Sequence, residues 1–413
     1  MYSRAIVQTE EPADVGVPPA GSALSGARQK ELSVVGLFAG IGGIERGFHD
    51  EGHESILLCE ADQVARRVLS HRFQGVELSD DVRTLKALPD CDVVSAGFPC
   101  QDLSQAGRLR GIDGPNSGLV DILLDLLARA RPRPNWVVLE NVPFMLNLDR
   151  GRAVDSIVTR LEQLGYAWAY RTIDARAFGL PQRRRRVVIL ASRTEDPRIP
   201  LLGVDAGPPP KPKNSSHACG FYWTEGNTGL GWAVDATPPL KGGSGLHIPS
   251  PPAVWFPRRH LIAVPSIEDA ERLQGLPAGW TSVASDDEKG ARQRWRLVGN
   301  AVSVPFARWI ASRLSISGRY DHDDDLVLPE GARWPAAAWG VDGRRARSSA
   351  SEWPVVAEQK HLASFLNPRP TPLSRRATAG FLSRLERSTL RAEPEFVVDL
   401  RQHIERHDNG EFA

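Results

Sequence analysis

Four short apolar runs, each stopping at a polar or glycine-rich signal, constrain this chain more than any other feature. They are "LSVVGLF" before "AGIGG", "ESILLC" before "EAD", "CDVVSAGF" before "PCQ", and "NWVVL" before "ENV". Between them lie helical patterns: "GGIERGFHDEGH", "QVARRVLSHRF" and the amphipathic "GLVDILLDLLARARP". The helix "GRAVDSIVTRLEQLG", the extended "AWAYRTIDARAFG" and the strand "RRVVILASR" follow. Strands alternating with helices imply βαβ units and a parallel sheet. Ligands of such sheets bind at the carboxyl ends of the strands. That rule places "FAGIGG", Glu60, "FPCQ" and "ENV" on one rim.

The flanks read differently. Residues 1–30 lack periodicity and read as a disordered lead. From Thr194 to His260 the chain is rich in Pro, Gly and Trp, which predicts an irregular insert or small second domain. Helix resumes at "SIEDAERLQG", where Ser266 is placed to cap and Asp269 to answer it. "SVPFARWIASRLS" is a further helix, "GRYDHDDDLVLPEGARWP" reads as a linker, and "EQKHLASFL" and "ATAGFLSRLERSTL" read as helices.

A net charge of +1 gives no global field for nucleic acid, so any such site must come from local clustering. Arginine exceeds lysine, which suits bidentate contacts to phosphate or bases and equally fits a GC-rich coding bias. The 4 cysteines form no C-x-x-C pair, which argues against a zinc site or disulfide framework. The absence of a membrane-length apolar run and of a secretion signal predicts a cytoplasmic protein.

The glycine loop "LFAGIGG" follows a strand and opens a helix, as a nucleotide site requires, but carries no phosphate-gripping lysine. Glu60, about twenty residues on at the next strand's end, is placed for ribose hydroxyls. A nucleoside without phosphate fits best, and S-adenosylmethionine is one. Cys100 reads either as a small core residue or as an activated nucleophile at a strand–loop junction, where Pro99 fixes the backbone. Glu140 reads as a solvated carboxylate or as a general acid beside that nucleophile. In "PQRRRRVVIL" strand alternation sends Arg183 and Arg185 to one side and Arg184 and Arg186 to the other.

Together and in order, "LFAGIGG", "GFPCQDLSQAG", "LENV", "QRRRRVVIL", "ERLQGLP" and "GNAVSVP" resemble the conserved blocks of DNA cytosine-5 methyltransferases. The resemblance covers about residues 33–310. It implies an α/β, Rossmann-like S-adenosyl-L-methionine-dependent methyltransferase sheet with a small irregular target-recognition domain. By this reading residues 31–193 form the catalytic domain, with 290–317 returning to it. Residues 194–289 form the recognition domain, and 318–413 a linker and helical C-terminal extension.

The resemblance also assigns roles. Cys100 adds to cytosine C6, Glu140 bonds N3 and the exocyclic amine, Arg186 holds O2, and Arg184 supports the Cys100 region. The base is flipped out of the duplex, with Gln101 and Ser104 stabilising that state. For the cofactor, Phe38 stacks on adenine, Gly40 and Gly42 allow close approach, Glu60 takes the ribose and Asp81 meets the adenine amine. Pro99, Asn300 and Val302 complete that pocket, and no metal is expected. Double-stranded DNA is the implied substrate, and a monomer with a cognate restriction endonuclease as functional partner is the implied setting.

Three departures stand out: Gly36 where the family often has Asp, Ala61 where it has an aromatic, and "ATPPLKGG" in place of a Pro-Thr-Leu-like turn. Lys241, Arg258 and Arg259 are candidates for DNA contact. The alternatives are a tRNA methyltransferase with the same blocks, against which the long insert argues, and a catalytically silent DNA-binding protein, against which intact Cys100, Glu140 and Arg186 argue.

Overall fold

A computed structural model describes residues 30–98, 118–209, 217–241, 251–284 and 288–412. The apolar runs become strands β1 (Ser33–Leu37), β2 (Glu54–Cys59), β4 (Val93–Ala96) and β5 (Trp136–Asn141), with β3 (Glu77–Ser79) after β2. β6 (Ala167–Asp174) and β7 (Arg185–Ser192) follow. A smaller sheet is built from β8 (Cys219–Phe221), β9 (Ala233–Val234), β10 (Ala253–Phe256) and β11 (Leu261–Val264). The chain then adds β12 (Leu326–Val327), β13 (Ala337–Val341), β14 (Arg344–Arg347) and β15 (Thr371–Pro372).

The large sheet runs β12-β14-β13-β6-β7-β5-β4-β1-β2-β3. β1 pairs in parallel with β2 and β4, and β4 with β5, as alternation predicted. β7 departs from that pattern. It lies antiparallel between β5 and β6, because the connection 175–184 holds only the 3-10 turn Ala175–Phe178 and no crossover helix.

Helices cover both faces. α1 (Gly43–His49) and α2 (Gln63–Arg72) follow β1 and β2, and α3 (Leu119–Arg129) and α4 (Arg152–Gln163) flank β5. α3 and α4 pack with Val35, Leu37, Val94 and Leu139 on one face. On the other face Phe48 of α1 and Val34 join Phe306 and Ile310 of a later helix. α5 (Ile267–Leu273) carries the expected capping box between Ser266 and Asp269, and α6 (Glu288–Asn300) and α7 (Val304–Ala311) bring the chain back. α7 sits close on α1, since a side chain at Gly47 would meet the Arg308 backbone nitrogen at 2.5 Å.

The C-terminal segment differs from the linker and helical extension expected of it. β13 pairs antiparallel with β6 and carries β14 and β12 with it, so this segment widens the large sheet. β15 pairs with β11, and α8 (Arg375–Arg387) and α9 (Pro394–Asp408) pack Phe381 and Phe396 onto Phe221 and Trp255 of the small sheet. The physical reason is that each sheet otherwise exposes an edge or an apolar face. Residues 194–209 also differ from their assignment to the recognition domain. Leu201 and Leu202 lie in the core of the large sheet, and Arg171 of β6 donates to Leu201 O (3.2 Å), Val204 O (2.6 Å) and Asp205 Oδ1 (2.7 Å).

One core group bears on the glycine loop. Glu45, in the first turn of α1, is 1 % exposed. Ser95 Oγ donates to its Oε1 at 3.3 Å, and Oε2 has no partner. Its carboxylate fills space that Gly36 leaves open, where a Cβ would meet Oε1 at 2.3 Å. Burial pushes its pKa from 4.5 up to about 7. The folded protein thus keeps a proton that the unfolded chain releases above pH 4.5. The stability tied to that proton is complete below about pH 4.5 and is lost as pH rises through about 7, a loss of about 3 kcal/mol. Glu45→Gln should flatten the pH dependence of unfolding free energy across this window, as read by urea denaturation at pH 5 and pH 8. A slope unchanged by the substitution would mean that Glu45 is ionised in the folded state.

Candidate active site

The strand ends converge at the rim that the sequence predicts. After β1, Phe38 takes a left-handed φ of 56°, rare for a residue with a side chain, and turns the chain into the glycine loop. Gly40 N donates to Glu60 Oε2 at 2.7 Å, and Asp62 N to Glu60 Oε1 at 2.8 Å. Glu60 is therefore fixed at the end of β2 against the loop's backbone. Asp62 caps α2 through Val64 N and Ala65 N, and receives Arg296 at 2.6 Å.

The two glycines do different work. A side chain at Gly40 (φ 58°) would meet nothing within 4 Å, so open space lies before its Cα. At Gly42 (φ 82°) it would strike the Phe73 ring at 2.2 Å. Gly42 thus serves packing and the start of α1, while Gly40 leaves its backbone open. Asp81 lies two residues beyond β3, where Arg83 N (2.9 Å) and Arg83 Nε (3.0 Å) hold its carboxyl below the usual range. Val82, beside it, is buried in the core.

The other half of the rim joins β4 to β5. Asn141 Nδ2 donates to Phe98 O at 3.0 Å and ties the two strand ends together. Beside it, Arg186 Nε lies 2.8 Å from Glu140 Oε1, with side chains 15 % and 9 % exposed. An ion pair so shielded from water is stronger and better fixed than a surface pair. A Cβ at Gly97 would lie 3.5 Å from Val302 Cγ2 and 3.6 Å from Glu140 Oε2. Gly97, Glu140 and Val302 therefore meet at one point. Pro99, Cys100, Gln101 and Ser104 lie outside the described residues.

The arginine run divides as strand alternation demands. Arg185 pairs with Glu352, and Arg183 Nη2 lies 3.4 Å from Gly231 O, so both have protein partners. Arg184 is fully buried and donates to Gly299 O (3.3 Å) and Ala301 O (2.6 Å). Burial and the neighbouring Arg186 lower its pKa, while Glu140 opposes the shift. Among the described residues, Arg184 thus holds the segment returning from the far end of the chain; the Cys100 region that it is expected to support lies outside them. Asn300 closes α6 with its side chain exposed, between the two carbonyls that Arg184 holds.

Two glutamines finish the framework. Gln182 Nε2 donates to Leu273 O (2.8 Å), and its Oε1 accepts from Leu240 N (3.2 Å). Thr237, in the departing segment "ATPPLKGG", exchanges backbone bonds with Pro181 and Arg183 at 2.8 Å each. The segment "ATPPL" is thus bound to the arginine block. Gln274, which the sequence reading did not single out, is fully buried and joins Val298 O (2.9 Å) to Ser303 Oγ (3.1 Å). Its signal was an amide between apolar residues in "ERLQGLP", where a buried polar group must find partners.

Comparison with known proteins agrees with this geometry. Residues 32–218 match the family described as C-5 cytosine-specific DNA methylase. The Type II methyltransferase M2.BsuMI of Bacillus subtilis (strain 168) is 47 % identical over 381 residues, covering 89 % of this chain and 97 % of that protein. The Type II methyltransferase M.NlaX of Neisseria lactamica is 30 % identical over 315 residues, covering 68 % and 96 %. In fold, the chain resembles the crystal structure of the S. pombe Dnmt2 methyltransferase, with a TM-score of 0.52 at 16 % identity over 68 % of this chain and 98 % of that one. With a buried Glu–Arg pair at the rim and a near-full-length relative at this identity, the chain belongs to the C-5 cytosine-specific DNA methylase family.

Proposed function

We propose that this DNA cytosine-5 methyltransferase acts on one short site in duplex DNA, with Cys100 as nucleophile and the Glu140–Arg186 pair as the grip on the target base. The observation that carries this reading is the pair itself: a carboxylate and a guanidinium 2.8 Å apart, largely shielded from water, beside the end of β4, the strand that precedes Cys100 in sequence. Cytosine offers complementary groups: O2 for Arg186, N3 and the exocyclic amine for Glu140. Held before substrate arrives, these groups need little rearrangement as charge moves into the ring.

Cytosine C5 is a poor nucleophile. Addition of the Cys100 thiolate to C6 pushes electrons through the ring to C5, which then takes the methyl group. Loss of the C5 proton and elimination of the thiol restore aromaticity and free the enzyme. The reacting carbon is hidden inside a duplex, so the base must leave the stack. Gln101 and Ser104 are assigned to the gap that it leaves.

The rim also fits S-adenosyl-L-methionine, the methyl donor of the family, which supplies an electrophilic methyl group on a sulfonium. Each Glu60 oxygen takes one backbone N–H and keeps lone-pair capacity for a ribose hydroxyl. Gly40 has open space before it. Phe38, Asp81, Asn300, Val302 and Pro99 are assigned to the remaining walls. We assign the chain a modification role beside a cognate restriction endonuclease, working as a cytoplasmic monomer. Among the described residues, no helix is long and apolar enough to cross a membrane.

Bisulfite sequencing of DNA from a methylation-deficient host expressing the chain should show one short motif methylated at cytosine C5. Uptake of labelled methyl groups into tRNA and not into duplex DNA would overturn the DNA reading. Cys100→Ser should lower methyl transfer by at least about a thousand-fold, since a hydroxyl is far less ionised than a thiol, while cofactor and DNA binding persist. Retained turnover in that variant would exclude the covalent route. Glu140→Gln should cost about 10²–10³-fold in kcat with little change in cofactor affinity, measured by single-turnover methylation and calorimetry.

A further inference from the structure

Away from the rim, three side chains with metal-binding donors meet at one end of the small sheet. His217 precedes β8 and Asp235 follows β9. The two strands pair Cys219 with Val234, and Asp235 N donates to Ala218 O at 2.8 Å, so His217 and Asp235 leave the ribbon at the same end. The third, His361, comes from more than a hundred residues later and starts the short helix Leu362–Phe365. Its Nδ1 lies 2.6 Å from Asp235 Oδ2, and its ring centroid 5.5 Å from that of His217. One donor atom from each of the three lies within 4.8 Å of the others.

From this geometry we propose that His217, Asp235 and His361 form a structural site for a divalent transition-metal ion of the zinc class. Two imidazole nitrogens and one carboxylate oxygen suit such ions and are a poor set for calcium or magnesium, which take mostly oxygen ligands. Side-chain rotation brings these donors to the metal distances of about 2.0–2.2 Å that they favour. The Asp235 side chain is 15 % exposed and that of His361 66 % exposed, so the site opens to solvent on one side. Water completes the coordination there.

The site's place in the fold gives it a task. β9 is one edge of the small sheet and β15 the other. The chain from His361 to Thr371 therefore crosses from the first edge to the second, held partway by Asn367 N donating to Asp269 Oδ1 at 2.9 Å. β15 fixes the far end of this strap. At the near end, Asp235 accepts from His361 and from Leu362 N (2.9 Å), while Leu362 and Phe365 are buried in the core. A bound ion would lock the near end to both β8 and β9 and stiffen the sheet that carries the recognition segments.

The full chain, stripped with EDTA and desalted, tests this with Zn²⁺ competed against a metallochromic indicator and with Co²⁺ followed by its visible absorption. One equivalent should bind, the Co²⁺ bands should have the intensity of a four-coordinate site, and Zn²⁺ should raise the Tm by several degrees. His361→Ala, an exposed position that leaves the fold intact, should weaken binding by about 10–100-fold, as should His217→Ala. Absence of saturable binding, or equal binding by the wild type and His361→Ala, would overturn the proposal. In that case Asp235 acts only as a hydrogen-bonding anchor for the strap.

Discussion

The Arg184 guanidinium, buried at the point where the large sheet meets the chain's return, is the contact on which the site's construction depends. It donates to the carbonyls on either side of Asn300. A buried cation forfeits its hydration, and only several well-placed acceptors offset that loss. The segment 299–301 is thereby drawn to the sheet, and Val302 is carried to within reach of Gly97 and Glu140. A wall contributed from more than a hundred residues away is fixed to the rim by one side chain of the strand beside it. Substitution of lysine would keep the charge but not the two-pronged geometry.

Gln182 extends this logic to the small sheet. Its amide reaches Leu240 in the recognition segment and Leu273 in α5, while the backbone on either side of it bonds Thr237. The neighbours on the strand alternate in purpose. Even-numbered side chains from Gln182 to Arg186 face inward and assemble the site, whereas Arg183 and Arg185 fasten outer segments. A dense arginine run thus resolves into two functions because a strand has two faces. The segments around Thr237 and Leu240 are joined to the rim by short, buried, directional bonds.

Much of this was legible in the residues. The five strands β1, β2, β4, β5 and β7 are apolar runs of the right length, the rim follows from where they stop, and Ser266 caps its helix as its spacing announced. What escaped had physical reasons. β7 reads the same in either direction, so its antiparallel placement depended on the connection before it. The strands of the small sheet are two to four residues long, too short to show a period of two. The hairpin β13–β14 did leave a signal. Asp342 and Gly343 form a two-residue turn with φ of 51° and 73°, the pattern that Asp-Gly between strands favours. In α9, Pro394 at the first turn and the buried Phe396 and Leu400 likewise mark a helix within the segment read as a helical extension.

The departure at Gly36 shows why a site should be read from space as well as from sequence. A side chain at 36, where the family often has Asp, would meet the Glu45 carboxyl, since a Cβ there lies 2.3 Å from Oε1, and Glu45 would have to swing aside to make room. The chain therefore places its acid on α1, beneath the glycine loop and against Ser95, and leaves the strand bare. The folded chain records a carboxylate delivered from the helix into the place a strand side chain would take. Because this carboxylate is sealed from water and lacks a partner for one oxygen, its charge is costly, and it stays protonated until about pH 7. A group poised in that way responds to any positive charge brought near the glycine loop, since a nearby cation favours the ionised form. The bare strand position at Gly36 and the buried acid at Glu45 of α1 are thus one structural choice, since the first makes the room that the second fills.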